Sequence, residues 1–240
     1  MMFPSNISSI RIYGSRARGD ADDISDLDVL IVQREKTPPI YRHDLEDKLR
    51  DLGSYISFSW YSETAIARMY REGHLFAWHL YKESTKIDAI GDLDFIDYLS
   101  APNPYREAVA DVDGFRRIID GVAGSIAAAA GNACYEAGLL YVCCRNLAMI
   151  ASSYLADGPY FNRRSPFLLA DKLQIPFPLS REDHDLNMRA RHFGGRGIKI
   201  HRSHDRVKQM AADITLWGGG ISQYVKTREA EHEREKSAFC

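Results

Sequence analysis

Four consecutive aliphatic residues, Val29-Leu30-Ile31-Val32, follow directly on the acidic segment Asp26-Leu27-Asp28. A short, continuous and largely β-branched run fits a strand buried on both faces, which requires a sheet covered on two sides. A strand is therefore expected at 28–32. Upstream, Ile7, Ile10 and Ile12, mixed with Arg11 and ending at Gly14, predict a first strand that stops at a tight turn. Downstream, Tyr41, Leu45, Leu49 and Leu52 recur at helical spacing between Pro38-Pro39 and Gly53, which predicts a crossover helix. Residues 55–61, YISFSWY, alternate apolar residues with Ser57 and Ser59 and predict a third strand. Ser62-Glu63-Thr64 then caps a short helix that stops near Gly73. LFAWHLY at 75–81 fits either helix or strand, and KIDAI at 86–90 fits a last short strand.

The pattern changes at SAPNPY, residues 100–105, where Pro102 and Pro104 mark a boundary. Beyond it Val109, Val112, Phe115, Ile118, Ile119, Val122 and Ile126 recur every three or four residues, one apolar helix face. A second helix is expected over 133–155 with Tyr135, Leu139, Val142 and Ile150 inward and Asp157-Gly158-Pro159 as its stop. Shorter helices are expected at 166–174 and 181–191. A last one runs from Ser203 toward Trp217, where Gly218-Gly219-Gly220 should end it. The charged tail REAEHEREKS reads as a solvated helix end. The fold class is α+β: a small mixed-sheet domain, residues 1–98, followed by an α-helical bundle domain, residues 101–240.

At 240 residues the chain is long for one domain and short for two of average size, which agrees with that division. A net charge of −2 provides no global field for a nucleic-acid backbone, so nucleic acid is not an expected partner and any polyanion must be bound locally. Charge interrupts every apolar segment before the roughly 18 residues of a membrane helix, and the start lacks the pattern of a secretory signal. Cys134, Cys143, Cys144 and Cys240 have no metal-ligand spacing and read as reduced thiols, which places the chain in the cytoplasm.

The chemistry concentrates in residues 14–28. Asp26 and Asp28 stand two apart at the head of a strand, so a period of two sends both carboxylates to one face. Two like charges in one small volume call for a cation between them, and Mg²⁺, a hard ion that usually arrives with phosphates, fits that need. Gly14 lets the backbone approach a ligand closely, and Ser15 offers a hydroxyl and an amide at a helix start.

The stretch GSRARGDADDISDLDVLIV resembles the signature of the DNA-polymerase-β-like nucleotidyltransferase superfamily, and in particular the minimal nucleotidyltransferases, whose relatives include the aminoglycoside nucleotidyltransferases. Gly14, Ser15, Arg16, Arg18, Gly19, Ser25, Asp26 and Asp28 carry the resemblance. It implies that the mixed-sheet domain is a nucleotidyltransferase domain with the turn and both aspartates facing one cleft. Gly14 and Ser15, with Arg16, Arg18 and Ser25, would bind a nucleoside triphosphate, and Asp26 and Asp28 would bind two Mg²⁺ ions. The implied reaction is in-line transfer of a nucleoside monophosphate, AMP in first place, from an NTP to a hydroxyl of a small molecule or protein, releasing pyrophosphate. The helical domain would supply part of the acceptor pocket. A homodimer or a partner protein is compatible with this.

The resemblance also implies a third carboxylate on the next strand, where this chain has Ser57 and Ser59. Glu63 and Asp88 are the acids that neighbouring elements could bring to the cleft. Without one, the alternative is a catalytically weak nucleotide-binding interaction protein of a toxin–antitoxin or defence module. Asp20, Asp22 and Asp23 read as a solvated spacer, and Glu63 as a helix first-turn acid.

His74 and His79 are five apart, about 140° around a helix, which suits packing rather than a shared metal. Residues 189–206 form a basic inter-helix loop that could close over a triphosphate. Arg196 and His201 there match the loose Arg-x4-His arrangement of HEPN ribonucleases, against which the glycines at 194, 195 and 197 argue. Arg145 is expected either beside a buried acid or facing the cleft.

Overall fold

The computed structural model describes residues 6–22, 25–34, 42–50, 55–87, 94–128, 131–192 and 200–238. The chain divides into two compact units, Met1–Arg106 and Glu107–Cys240. In the first unit, strands β1 (Ile7–Tyr13), β2 (Leu27–Gln33), β3 (Ile56–Ser62) and β4 (Thr85–Lys86) form one sheet in the order β3-β2-β1-β4. The β1 strand pairs antiparallel with both β2 and β4, whereas β2 and β3 are parallel. A parallel pair needs a crossover, and α2 (Arg42–Leu49) lies in the connection between these strands. Of the signals read there, Pro38-Pro39, Tyr41, Leu52, Gly53 and the side chain of Leu45 lie outside the described residues.

Val29, Leu30, Ile31 and Val32 are all fully buried, because each face of β2 meets its own layer. Leu30 and Val32, with Tyr13, pack against Ile66 and Tyr70 of α3 (Glu63–Glu72), Ala77 and Leu80 of α4 (Leu75–Glu83), and Ile96 of a short 3₁₀ helix (Phe95–Tyr98). Val29 and Ile31 point the other way, with Ile7, Ile10, Leu27 and Leu49. The ambiguous segment at 75–81 is helical: the His74 side chain accepts from the Phe76 amide at 3.1 Å and caps it. The described part of the segment at 86–90 contributes one residue, Lys86, to β4.

The second unit is helical: α5 (Ala108–Ala127), α6 (Ala133–Ser152), α7 (Ser165–Leu173), α8 (Arg181–Arg191) and α9 (His204–Ala238). The α6 helix sits at its centre, packed on α5, α7, α8 and α9. Of the residues expected inward, Ile150 is buried and Leu139 and Val142 are half-buried, but Tyr135 is 61% exposed, and Ala137, Leu140, Tyr141, Cys144 and Leu147 are buried as well. A helix with neighbours on several sides has no single apolar stripe, so periodicity caught only part of what the packing uses. On α5, Ile118 is likewise exposed beside the buried Ile119.

The expected stop at Gly218-Gly219-Gly220 does not occur, since α9 runs through the three glycines. Each mid-helix glycine costs about 1 kcal/mol relative to alanine. Ile221 and Val225, just beyond them, are fully buried, and burying side chains of that size contributes roughly 1.5–3 kcal/mol each. Packing therefore offsets propensity.

Candidate active site

The site is built where β1 ends beside the beginning of β2. Tyr13 pairs with Asp28 in the antiparallel register. The chain then turns at Gly14 with φ 75°, a left-handed conformation, and enters the one-turn helix α1 (Ser15–Arg18). The amide of Arg18 donates to the Gly14 carbonyl at 3.1 Å and that of Asp20 to the Ser15 carbonyl at 3.0 Å. The Asp28 carboxylate lies directly over the Gly14 Cα, so a Cβ at position 14 would collide with its Oδ2. Turn and acid are thus in contact across the strand pair.

Asp28 faces Ser57 in the parallel register with β3, and Leu30 faces Ser59. The Tyr13 hydroxyl and the Ser59 Oγ are 2.8 Å apart, which puts Tyr13, Asp28, Ser57 and Ser59 on one face of the sheet. Burial pushes the Tyr13 hydroxyl up to about 12, against a lowering by Ser59, and the charges of Asp28 and Asp26 add to the rise. Both aspartates are therefore within electrostatic reach of the same hydroxyl, and both are half-buried.

Asp26 is held in place by a closed turn. The Ser25 Oγ donates to Asp22 Oδ1 at 2.7 Å and accepts from the Asp22 amide at 3.0 Å. Arg16 reaches the Ser25 carbonyl at 3.4 Å. Asp22 is exposed, as expected of the spacer, and also closes the loop onto Ser25; Asp23 lies outside the described residues.

Arg18 sits beside the turn with its guanidinium on two acids. Nη1 donates to Glu83 Oε2 at 2.7 Å, and Nε to Asp20 Oδ1 at 3.2 Å. The same Glu83 oxygen lies 2.9 Å from His79 Nε2. Burial alone would raise the Glu83 carboxyl, but the bonds from His79 and Arg18 hold it below the usual carboxylate range. Burial, the largest single effect, likewise opposes the charge on Arg18, and the bonds and charges of Glu83 and Asp20 together outweigh it and raise the pKa.

Glu63 opens α3 and lies 3.8 Å from Arg34. It follows Ser57 by six residues, roughly 20 Å along an extended strand, so it stands at the far end of β3 from Asp28. Asp88 lies outside the described residues. Among the described residues no group of three or more His, Cys, Asp or Glu could hold a metal ion. A pair of carboxylates still suits Mg²⁺, which keeps waters and substrate phosphates in most of its coordination positions.

Tyr13 and Glu83 are the site neighbours that sequence reasoning passed over, and His79, read as a packing residue, packs against Tyr13 beside them. Tyr13 had a signal, its place directly before Gly14; Glu83 had none, because only the fold brings α4 beside α1. The other candidates fall elsewhere. His74 caps a helix, and Arg145 donates to the Phe161 carbonyl at 2.8 Å. Within 189–206, Arg202 is buried on Asp183 and Asn187, and Arg206 pairs with Asp183, so the charge of these two arginines is spent internally. His201 is outside any helix, and Arg196 lies outside the described residues.

Residues 2–72 match the model of the family described as Nucleotidyltransferase domain. A solved structure, the spectinomycin adenyltransferase AAD(9) from Enterococcus faecialis with ATP and spectinomycin, is similar over 89% of this chain and 92% of its own, with 13% sequence identity and a TM-score of 0.48. No curated protein sequence matches the chain significantly. No helix among the described residues is long and apolar enough to cross a membrane. Both the Gly14–Ser15 turn and the Asp26/Asp28 pair fall inside the residues that match the Nucleotidyltransferase domain model.

Proposed function

We propose that the N-terminal unit transfers a nucleoside monophosphate, AMP in our reading, from a nucleoside triphosphate to a hydroxyl of a small molecule or a protein. The contact between the Asp28 carboxylate and the Gly14 Cα carries this reading. It brings a backbone turn suited to phosphate within reach of an acid suited to the phosphate's counter-ion. In this assignment Gly14 and Ser15 receive the β- and γ-phosphates, Asp26 and Asp28 hold Mg²⁺, and Arg16 adds positive charge near the leaving group. Ser25 fixes the turn that delivers Asp26. Bound Mg²⁺ supplies charge neutralisation at the entering and leaving oxygens.

The acceptor oxygen forms a bond to the α-phosphorus while the bond from that phosphorus to the α–β bridging oxygen breaks. Pyrophosphate leaves with the electron pair, and the proton of the acceptor hydroxyl passes to solvent water. The residues of the turn bind and orient the triphosphate for in-line displacement.

The serine opposite Asp28 favours a second reading, a nucleotide-binding interaction protein with weak transfer, because a serine hydroxyl is no general base at neutral pH. One experiment separates the two. Purified protein is incubated with Mg²⁺, α-labelled ATP and a panel of hydroxyl-bearing small molecules and proteins, and pyrophosphate release and label transfer are followed. Transfer that disappears in Asp26→Asn/Asp28→Asn supports the enzyme. Nucleotide binding without transfer to any acceptor overturns it and leaves the binding protein.

A further inference from the structure

The Gly14–Ser15 turn is supported on both flanks by one carboxylate. Tyr13, on its N-terminal side, packs edge-on against the His79 ring, with centroids 5.4 Å apart and planes at 88°. Arg18, on its C-terminal side, donates to Glu83 Oε2 at 2.7 Å, and His79 Nε2 lies 2.9 Å from that same oxygen. The Arg18 and Glu83 side chains are only 17% and 15% exposed, so this is not a solvent-screened surface pair. Glu83 is the last residue of α4, whose other contacts, Ala77 and Leu80, are in the core under the sheet. A rigid helix is therefore tied to a one-turn helix that has no buried residue of its own.

We propose that Glu83 is a positioning residue for nucleotide binding: through Arg18 and His79 it fixes the Gly14–Ser15 turn against the sheet. The inference rests on that turn being the phosphate site. Two acids, Glu83 and Asp20, share the Arg18 guanidinium, so its charge is largely compensated before any phosphate arrives. What Arg18 contributes is geometry. A misplacement of about 1 Å by a residue far from the chemistry can cost about a hundredfold in rate, which makes a bracing residue measurable although it touches no ligand.

The test uses Glu83→Gln, which keeps the shape and removes the charge, in the full chain. Hydrogen exchange is read at the amides of Arg18 and Asp20, which donate to the Gly14 and Ser15 carbonyls, with the amides of β2 and β3 as controls of folding. In parallel, the Kd for the Mg²⁺ complex of a non-hydrolysable ATP analogue is measured. Exchange at 18 and 20 should accelerate while β2 and β3 stay protected, and the Kd should rise roughly tenfold or more. In the Arg18→Ala background, the same change should add less than about threefold, because its main route is already cut. Unchanged exchange at 18 and 20 overturns the brace. Faster exchange with an unchanged Kd overturns the positioning role. If the wild-type protein binds no Mg²⁺–triphosphate, the proposed function fails, and the exchange result still decides whether Glu83 braces the turn.

Discussion

At the scale of single residues, Gly14 and Asp28 depend on each other. Two glycines near the site have positive φ, Gly14 at 75° and Gly19 at 78°, but only Gly14 has a side chain against its Cα. A non-glycine residue in that region costs roughly 1–2 kcal/mol in backbone strain. Gly19→Ala should lose about that much, since nothing lies within 4 Å of its added Cβ. Gly14→Ala should lose more and displace the Asp28 carboxylate, abolishing Mg²⁺–nucleotide binding. Urea unfolding and calorimetry on the two variants check this; equal losses with binding retained in both would mean that Asp28 is not held by the turn.

Among the elements, α9 shows how packing overrides propensity. Gly219 is mid-helix with no atom within 4 Å of an added Cβ, so Gly219→Ala should stabilise the protein by about 1 kcal/mol, read as a higher denaturation midpoint in urea. A loss of stability would show that the glycine is required by a contact of this helix. The same override marks where the sequence could be read and where it could not. The central strand was legible because four aliphatic residues in a row have few other uses, and the turn and acid pair because their spacing is tied to a strand. The inward face of α6 was not legible, since a helix surrounded by neighbours loses its periodic signal. Nor was Glu83, 65 residues from Arg18 in the chain, because a salt bridge between distant elements leaves no local pattern. The resemblance put Ser57 or Ser59 at the place of the implied third carboxylate, and the strand register sets Ser57 opposite Asp28.

For the whole molecule, acid stability follows from groups in both units. His184 in the second unit is buried among Tyr141, Phe167 and Phe177, and desolvation holds its pKa below the ordinary value. A depressed histidine favours the folded state above its unfolded pKa of about 6.5 and loses that contribution as pH falls through the folded value. The bond from Arg206, against an opposing effect of burial, holds the Asp183 carboxyl below its usual range, and Glu83 is held down in the first unit. Those contributions are present above about pH 4 and are lost on further acidification. Unfolding free energy should therefore decline in two stages on acidification, with a slope of about 1.4 kcal/mol per pH unit for each proton taken up. His184→Gln should remove the upper stage and leave the lower one, as urea melts across pH 3–8 would show.

In the proposed function, Asp26 and Asp28 are tolerated side by side because a magnesium-bound triphosphate would complete the site at the Gly14–Ser15 turn. Calorimetric titration of the wild-type protein and of Asp26→Asn/Asp28→Asn with a non-hydrolysable ATP analogue, with and without Mg²⁺, tests it most directly. Binding should require Mg²⁺ in the wild type and be lost in the double variant. Binding that ignores both the metal and the two substitutions, or no binding by the folded wild-type protein, would contradict it.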